Sequence, residues 1–280
     1  MQRRPLKLGR VAQMAEISAS LVKELRDRTG AGMMACKQAL QETNGDMDAA
    51  IVLLREKGMA SAAKRAGRET TEGKVGYRLV DDGSKGTMVA IGCETEPVSN
   101  NDEFLAYAKA VLDAVDAKGV GAESGLDEQR VELSAKLGEN IVVAGAARFE
   151  AVDGGLVAAY AHPPANKLGV LLQTRGADAD FGRKLAMHIS WSNPQWIARA
   201  DVPADVVSAE REIYANSDEV LSKPEQAREK IVDGMLNKRF FGVNVLLEQE
   251  WIHDSSKTVA QALADTGAEV LEFQRFSVAG

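Results

Sequence analysis

The chain has 280 residues, 34 Lys and Arg against 41 Asp and Glu, a net charge of −7, and 45% hydrophobic but only 5% aromatic residues. This balance excludes disorder as the main state and supplies core for one large or a few small domains; it also argues against direct nucleic-acid binding, since a net negative chain lacks the positive field that a phosphate backbone demands. A protein partner is expected instead.

Residues 1–13, with Arg3, Arg4, Lys7 and Arg10, read as a basic extension, expected to be disordered and to precede a natural start at Met14. From Ile17 the apolar positions Ile17, Leu21 and Leu25 recur every fourth residue, which predicts a helix stopped by Gly30. Residues 33–42 predict a second helix. Asn44-Gly45-Asp46 predicts a turn whose Asp46 caps a third helix carrying Val52, Leu53 and Leu54 and closed by Gly58. Three short helices within residues 14–59 are near the lower limit for an independent core and suit a docking module. On spacing alone Met33 and Met34 read as core filler, with an adaptable exposed contact as the alternative. Residues 60–74 turn small and basic and read as a connector, partly helical.

From residue 75 the period shortens. Residues 75–80, a turn at Asp81-Asp82-Gly83-Ser84 and residues 86–93 predict a strand, a turn and a buried strand, followed by a helix over 102–118. Residues 141–152, 156–161 and 168–174, then a helix over 181–190, repeat that order. The expected core therefore has a first half at 75–140 and a second half at 141–201, each a small antiparallel sheet covered by helix, in an α+β fold. Residues 202–241 predict two helices meeting at Lys223-Pro224, an antiparallel helical hairpin that serves as a self-association surface or as a spacer. Residues 242–280 are expected to return to the second half. There Gln274-Arg275-Phe276-Ser277 resembles Ala147-Arg148-Phe149-Glu150, so the last strand should pair within that half.

Reactive chemistry has little support. Three histidines without metal spacing and no glycine-rich phosphate loop argue against metal or nucleotide hydrolysis, so no cofactor is expected. Cys93 lies beside Glu94 and Glu96, anions that raise a thiol pKa, which makes it a poor nucleophile. The two cysteines, Cys36 and Cys93, form no disulfide framework and suit a reducing cytoplasm. No apolar run approaches the roughly 20 residues that span a bilayer. Residues 92–102 are unusual for a strand-to-helix loop; by chemistry alone they read as a turn with a helix cap at Asn100 or Asn101.

Several segments nevertheless carry a resemblance: residues 21–26, Thr29-Gly30-Ala31-Gly32-Met33-Met34-Ala35-Cys36-Lys37-Gln38-Ala39-Leu40, Asn44-Gly45-Asp46, Leu54-Arg55-Glu56-Lys57-Gly58, Lys136-Leu137-Gly138-Glu139-Asn140, Ala186-Met187-His188, Leu246-Leu247-Glu248-Gln249 and Lys257-Thr258-Val259. In this order they resemble bacterial elongation factor Ts. The resemblance implies an N-terminal three-helix module of ubiquitin-associated type, a two-part core and an inserted hairpin. It also implies guanine-nucleotide exchange on elongation factor Tu, a translation-elongation task that makes or breaks no covalent bond, so that the protein is no enzyme in that sense. A binding or chaperone-like partner of elongation factor Tu that does not promote exchange is the alternative. Where the family loop reads Thr-Asp-Phe-Val and disturbs the partner's magnesium site, this chain has Thr95, Glu96, Pro97 and Val98, with the carboxylate retained and the aromatic ring missing. Arg26, Met33, Met34 and His162 resemble further partner contacts, which turns the reading of the two methionines from core to docking edge. His162, beside Pro163-Pro164, also reads as a satisfied or solvent-facing histidine.

Overall fold

In a computed structural model the described residues are 17–152 and 154–278, so the expectation for residues 1–13 lies outside them. The first elements are α1 (Ala19–Thr29), α2 (Met33–Glu42), α3 (Met47–Arg65), β1 (Glu72–Leu79), β2 (Lys85–Cys93), α4 (Glu96–Ser99), α5 (Asp102–Lys118) and α6 (Asp127–Leu137). There follow β3 (Val142–Glu150), β4 (Gly155–Ala161), β5 (Leu168–Arg175) and α7 (Ala179–Ser192). The rest comprises α8 (Ala204–Ala215), α9 (Asp218–Leu221), α10 (Glu225–Met235), α11 (Gly242–Asn244), α12 (Val259–Thr266) and β6 (Glu269–Ser277). Helices and antiparallel sheets make an α+β fold. The described residues form two compact units, one of those up to Arg68 with Glu128–Asn140, the other of Glu69–Asp127 with those from Ile141 onward.

In the first unit the Ser18 hydroxyl caps α1 by accepting from the Leu21 N–H, and Gly30 ends the helix in the left-handed region at φ 67°. Asp46 caps α3 by accepting from the Ala49 N–H. Val22, Leu25, Cys36, Ala39, Leu40 and Ala50 form the core of this unit. Gly58 departs from expectation: it does not close α3, which continues to Arg65. The reason is packing. A Cβ at position 58 would stand 2.9 Å from the Ala135 Cβ of α6, so the missing side chain lets two helices approach. Arg55 pairs with Glu128 and Glu132 of α6 along the same seam.

The second unit holds two three-stranded sheets, in orders β1-β2-β3 and β4-β5-β6. The strand at 142–150, expected with the second half, instead pairs antiparallel with β2, Met88 opposite Ala147. Strand β2 is buried from Gly86 to Cys93 and β5 from Gly169 to Thr174. Strands apolar on both faces need a neighbour on each edge, so each takes the centre of its own sheet and β3 is drawn to β2. The last strand pairs with β5, as its sequence likeness to 147–150 predicts.

The two sheets share one register. Pairing runs from Lys85↔Glu150 to Ala90↔Gly145 and then slips to Ile91↔Val143. In the other sheet it runs from Leu168↔Ser277 to Gln173↔Glu272 and slips to Thr174↔Val270, at the same step. Gly86 lies opposite Phe149 and Gly169 opposite Phe276. Val75, Met88, Ala90, Phe149, Val157 and Leu171 fill the space between the sheets. Helix α5 packs on the outer face of the first sheet and α7 on that of the second.

Between α7 and β6, Pro224 starts α10, Arg211 of α8 pairs with Asp233 of α10 at 2.6 Å, and Val220, Val232, Met235, Leu236 and Phe240 form a separate apolar cluster. Val207, Tyr214 and Ile231 pack against this cluster as their spacing predicts, whereas Leu221 is exposed.

Candidate functional site

The strand-to-helix junctions of the two sheets differ. After β5 only Gly176 and Ala177 precede Asp178, whose side chain caps α7 by accepting from the Phe181 N–H. After β2, seven residues, 94–100, precede Asn101, which caps α5 by accepting from the Glu103 and Phe104 N–H groups. That extra segment contains all four residues 95–98. It is a single helical turn, α4, where the sequence predicted a loop, and of the two asparagines it is Asn101 that caps α5.

Local chemistry accounts for the turn. Pro97 sits in its first turn, where no backbone donor is needed and a fixed φ suits a helix. The Thr95 carbonyl accepts from the Ser99 N–H at 3.1 Å and from the Cys93 thiol at 3.3 Å. The Glu96 carbonyl accepts from Ser99 Oγ at 2.8 Å and Asn100 Nδ2 at 3.1 Å. With its carbonyls satisfied from within, the turn stands preformed while Thr95, Glu96 and Pro97 face solvent and Val98 is half-buried. Glu94, Glu96, Asp102 and Glu103 give the tip a negative charge, and the last two suit the N-terminus of α5. Leu105, exposed one turn along α5, adds apolar surface that sequence reading passed over. Cys93 is fully buried at the strand end.

His162 follows β4 and is exposed, its Nδ1 2.8 Å from Tyr160 Oη. Its loop is tied to the start of β1: the Val75 N–H donates to the Asn166 carbonyl at 2.6 Å, and Lys74 Nζ donates to the Ala165 carbonyl at 3.1 Å. Because Glu72 of β1 lies opposite Cys93, the turn at 95–98 and the His162 loop both flank that one strand end. In the other unit Arg26 is exposed in the last turn of α1, and Met33 and Met34 open α2 with 46% and 75% of their surface accessible. The core reading of the two methionines is thereby corrected; α2 points Cys36, Ala39 and Leu40 inward instead.

Sequence reading missed three polar centres. Asp116 of α5 accepts from Lys85 Nζ at 2.7 Å, Thr87 Oγ1 at 2.9 Å and Arg78 Nη1 at 3.2 Å, and Lys85 above all holds its carboxyl down at about 2. His188 of α7 is fully buried: the Ile252 N–H donates to its Nδ1, leaving Nε2 to donate to Gln249 Oε1 at 2.9 Å. Burial pushes its pKa down to about 4. Arg275 of β6 donates from Nε to the Ser190 carbonyl at 3.2 Å. Only the alternation of Lys85 and Thr87 on one strand face signals the first centre in sequence; 61 residues separate His188 from Gln249.

Fold and site thus define a class: an α+β protein with two antiparallel sheets of matching register, a separate helical unit and a preformed turn on display at one junction. The family described as Elongation factor TS matches residues 94–280. Elongation factor Ts of Pasteurella multocida is 43% identical over 269 residues, covering 95% of this chain and 93% of that protein. Its counterpart in Thioalkalivibrio sulfidiphilus is 40% identical over 272 residues, with 94% and 92% covered, and that of Teredinibacter turnerae 42% over 269 residues, with 94% and 90% covered. The chain belongs to the elongation factor Ts family.

Proposed function

We propose that this chain is a guanine-nucleotide exchange factor of translation elongation, which binds elongation factor Tu carrying GDP and speeds GDP release by disturbing the magnesium and phosphate site. The observation that carries the reading is the exposed turn at Thr95, Glu96, Pro97 and Val98, inserted at one of two otherwise matching junctions. Exchange of this kind is a coupling free energy: whatever factor the protein takes from nucleotide affinity, nucleotide takes from affinity for the protein. Each tenfold step needs about 1.4 kcal/mol of differential binding. A turn whose hydrogen bonds are already closed spends little of that on its own ordering. The Glu96 carboxylate brings negative charge toward the phosphates and competes for the metal, and Pro97 with Val98 supplies shape. No bond is made or broken, so the task is binding rather than enzymatic chemistry.

The other contacts in this reading are Arg26, Met33 and Met34, whose flexible exposed side chains suit an adaptable surface, and His162. The module at 14–59 of ubiquitin-associated type, the connector at 60–74, the hairpin at 202–241 and the return at 242–280 name its parts by task, while the division of the core falls after β3 and not at residue 140. The side-chain caps of α1 and α3 and the pairing of α8 with α10 support two of them. The hairpin is a surface for a second copy, supported by exposed Ile213 and Leu221 and checked by sedimentation. The protein works in the cytoplasm without nucleic acid or membrane; among the described residues no helix is long and apolar enough to cross a bilayer.

Release of labelled GDP from elongation factor Tu tests the proposal. Faster release on adding the protein is the expected result; complex formation with no change in release rate would replace it with the non-exchanging, chaperone-like alternative.

A further inference from the structure

The shared register of the two sheets allows their helix-facing groups to be compared position by position. In the first sheet Arg78, Lys85, Thr87 and Arg148 surround α5, where Asp116 supplies a carboxylate to the first three and its backbone oxygen to Arg148 Nε at 3.2 Å. Arg148 has its anion in Glu150, at 2.5 Å. By register the matching positions in the second sheet are Tyr160, Leu168, Val170 and Arg275, with Ser277 in place of Glu150. Arg275 Nε donates to the Ser190 carbonyl of α7 just as Arg148 does to Asp116, which puts Ser190 at the place of the carboxylate.

Every charged member of the first cluster is thus replaced by an uncharged residue in the second, except the arginine. Arg275 keeps its backbone bond, but Ser277 stands where Glu150 pairs with Arg148; among the described residues no carboxylate pairs with Arg275. It is half-buried, and burial pulls the guanidinium below its ordinary pKa. A desolvated cation without a counter-ion costs free energy in the free protein, a cost that a carboxylate from outside would offset. The surroundings fit such a visitor. Trp191, next to Ser190, has 81% of its surface exposed, more than any other large apolar residue described. Phe273, on the same face of β6, is partly buried against the core. Arginine and tryptophan are both enriched at the centres of protein interfaces, and here the arginine's backbone partner is the residue that precedes the exposed tryptophan.

We propose that Arg275 and Trp191 form a docking point for an acidic side chain of a protein partner, the guanidinium taking the carboxylate and the indole covering the pair from water. With elongation factor Tu as that partner the inference rests on the proposed function, and the wild-type measurement tests that reading separately.

Binding to nucleotide-free elongation factor Tu is measured at several salt concentrations for the wild-type chain, Arg275→Gln and Trp191→Ala. If the wild type forms no complex, the proposed function fails before this inference is reached. Given a wild-type complex, Arg275→Gln, which keeps an N–H for the Ser190 carbonyl, should bind about tenfold more weakly or worse, through faster dissociation, with a shallower salt dependence. Trp191→Ala should also weaken binding, with the salt dependence retained. Unchanged affinity of Arg275→Gln overturns the proposal, and so does weaker binding with an unchanged salt dependence, which would leave Arg275 as a cap on the C-terminus of α7. If Arg275→Gln does not fold, Ser190→Asp decides: it supplies the carboxylate of the first sheet from within and should weaken the complex while the fold stays intact. Undiminished affinity of Ser190→Asp overturns the proposal equally.

Discussion

The first and second sheets carry the same pairing, the same slip in register and the same glycine opposite phenylalanine, yet their covering helices are fastened by opposite chemistry. Helix α5 is held through Asp116 by groups from β1 and β2, at a partly exposed rim. Helix α7 sets its own Leu185 and Ile189 against Tyr160, Val170 and Leu172 of the sheet, with one polar knot, His188 and Gln249, sealed inside. Backbone pairing therefore specifies the sheet, while the side chains under the helix are free to be ionic or apolar. The ionic solution sits beside the inserted turn. The apolar solution sits beside the long insertion between α7 and β6.

Acid should separate the two halves most strongly. His188 has a pKa of about 4 when folded, below the roughly 6.5 of an unfolded histidine, so its contribution is fully present above pH 6.5 and is lost as pH falls toward 4. The loss should reach about 3 kcal/mol at the lower end. Asp116, at about 2, contributes above its unfolded value of 3.8 and keeps that contribution at pH 4. Hydrogen exchange at pH 7 and pH 4.5 should then show α7 losing protection and α5 keeping it; equal loss in both would break the contrast.

The junctions provide the next test. If the turn after β2 is a wedge short of its aromatic ring, Pro97→Phe adds burial of about 1.5 to 3 kcal/mol and should speed GDP release roughly tenfold to a hundredfold. An unchanged or slower rate would mean that the turn has been shaped around proline.

Matched glycines sharpen the comparison further. A Cβ at Gly86 would meet Val157 Cγ1 at 2.6 Å and Leu79 Cδ2 at 2.7 Å, whereas at Gly169 it would meet Val75 Cγ1 at 2.6 Å and the yielding end of Met88 at 3.1 Å. Urea denaturation should show Gly86→Ala costing about 2 kcal/mol and Gly169→Ala about 1 kcal/mol. The smallest effect is expected at the rim: Asp116→Asn should cost less than about 1 kcal/mol at neutral pH, discounted for solvent screening, with less cost in high salt.

Much of this was legible in the chain. Helix boundaries such as 33–42 and 102–118 follow from spacing and caps, because glycine, aspartate and asparagine act on their own neighbours. The likeness of 147–150 to 274–277 predicted that the last strand returns, and the two segments occupy matching register positions. Residues 95–98 stood out through their resemblance, while their helical turn depends on Ser99 and Asn100 folding back on Glu96.

By itself the sequence determined what is local: periods, caps, turns and the buried runs at β2 and β5, since each depends on residues within a few positions of one another. Tertiary structure decided which sheet received the strand at 142–150, why Gly58 lies inside a helix, and which arginine kept its carboxylate. Those outcomes turn on competition among segments far apart in the chain for the same buried edge, gap or charge, and local pattern carries no information about who wins.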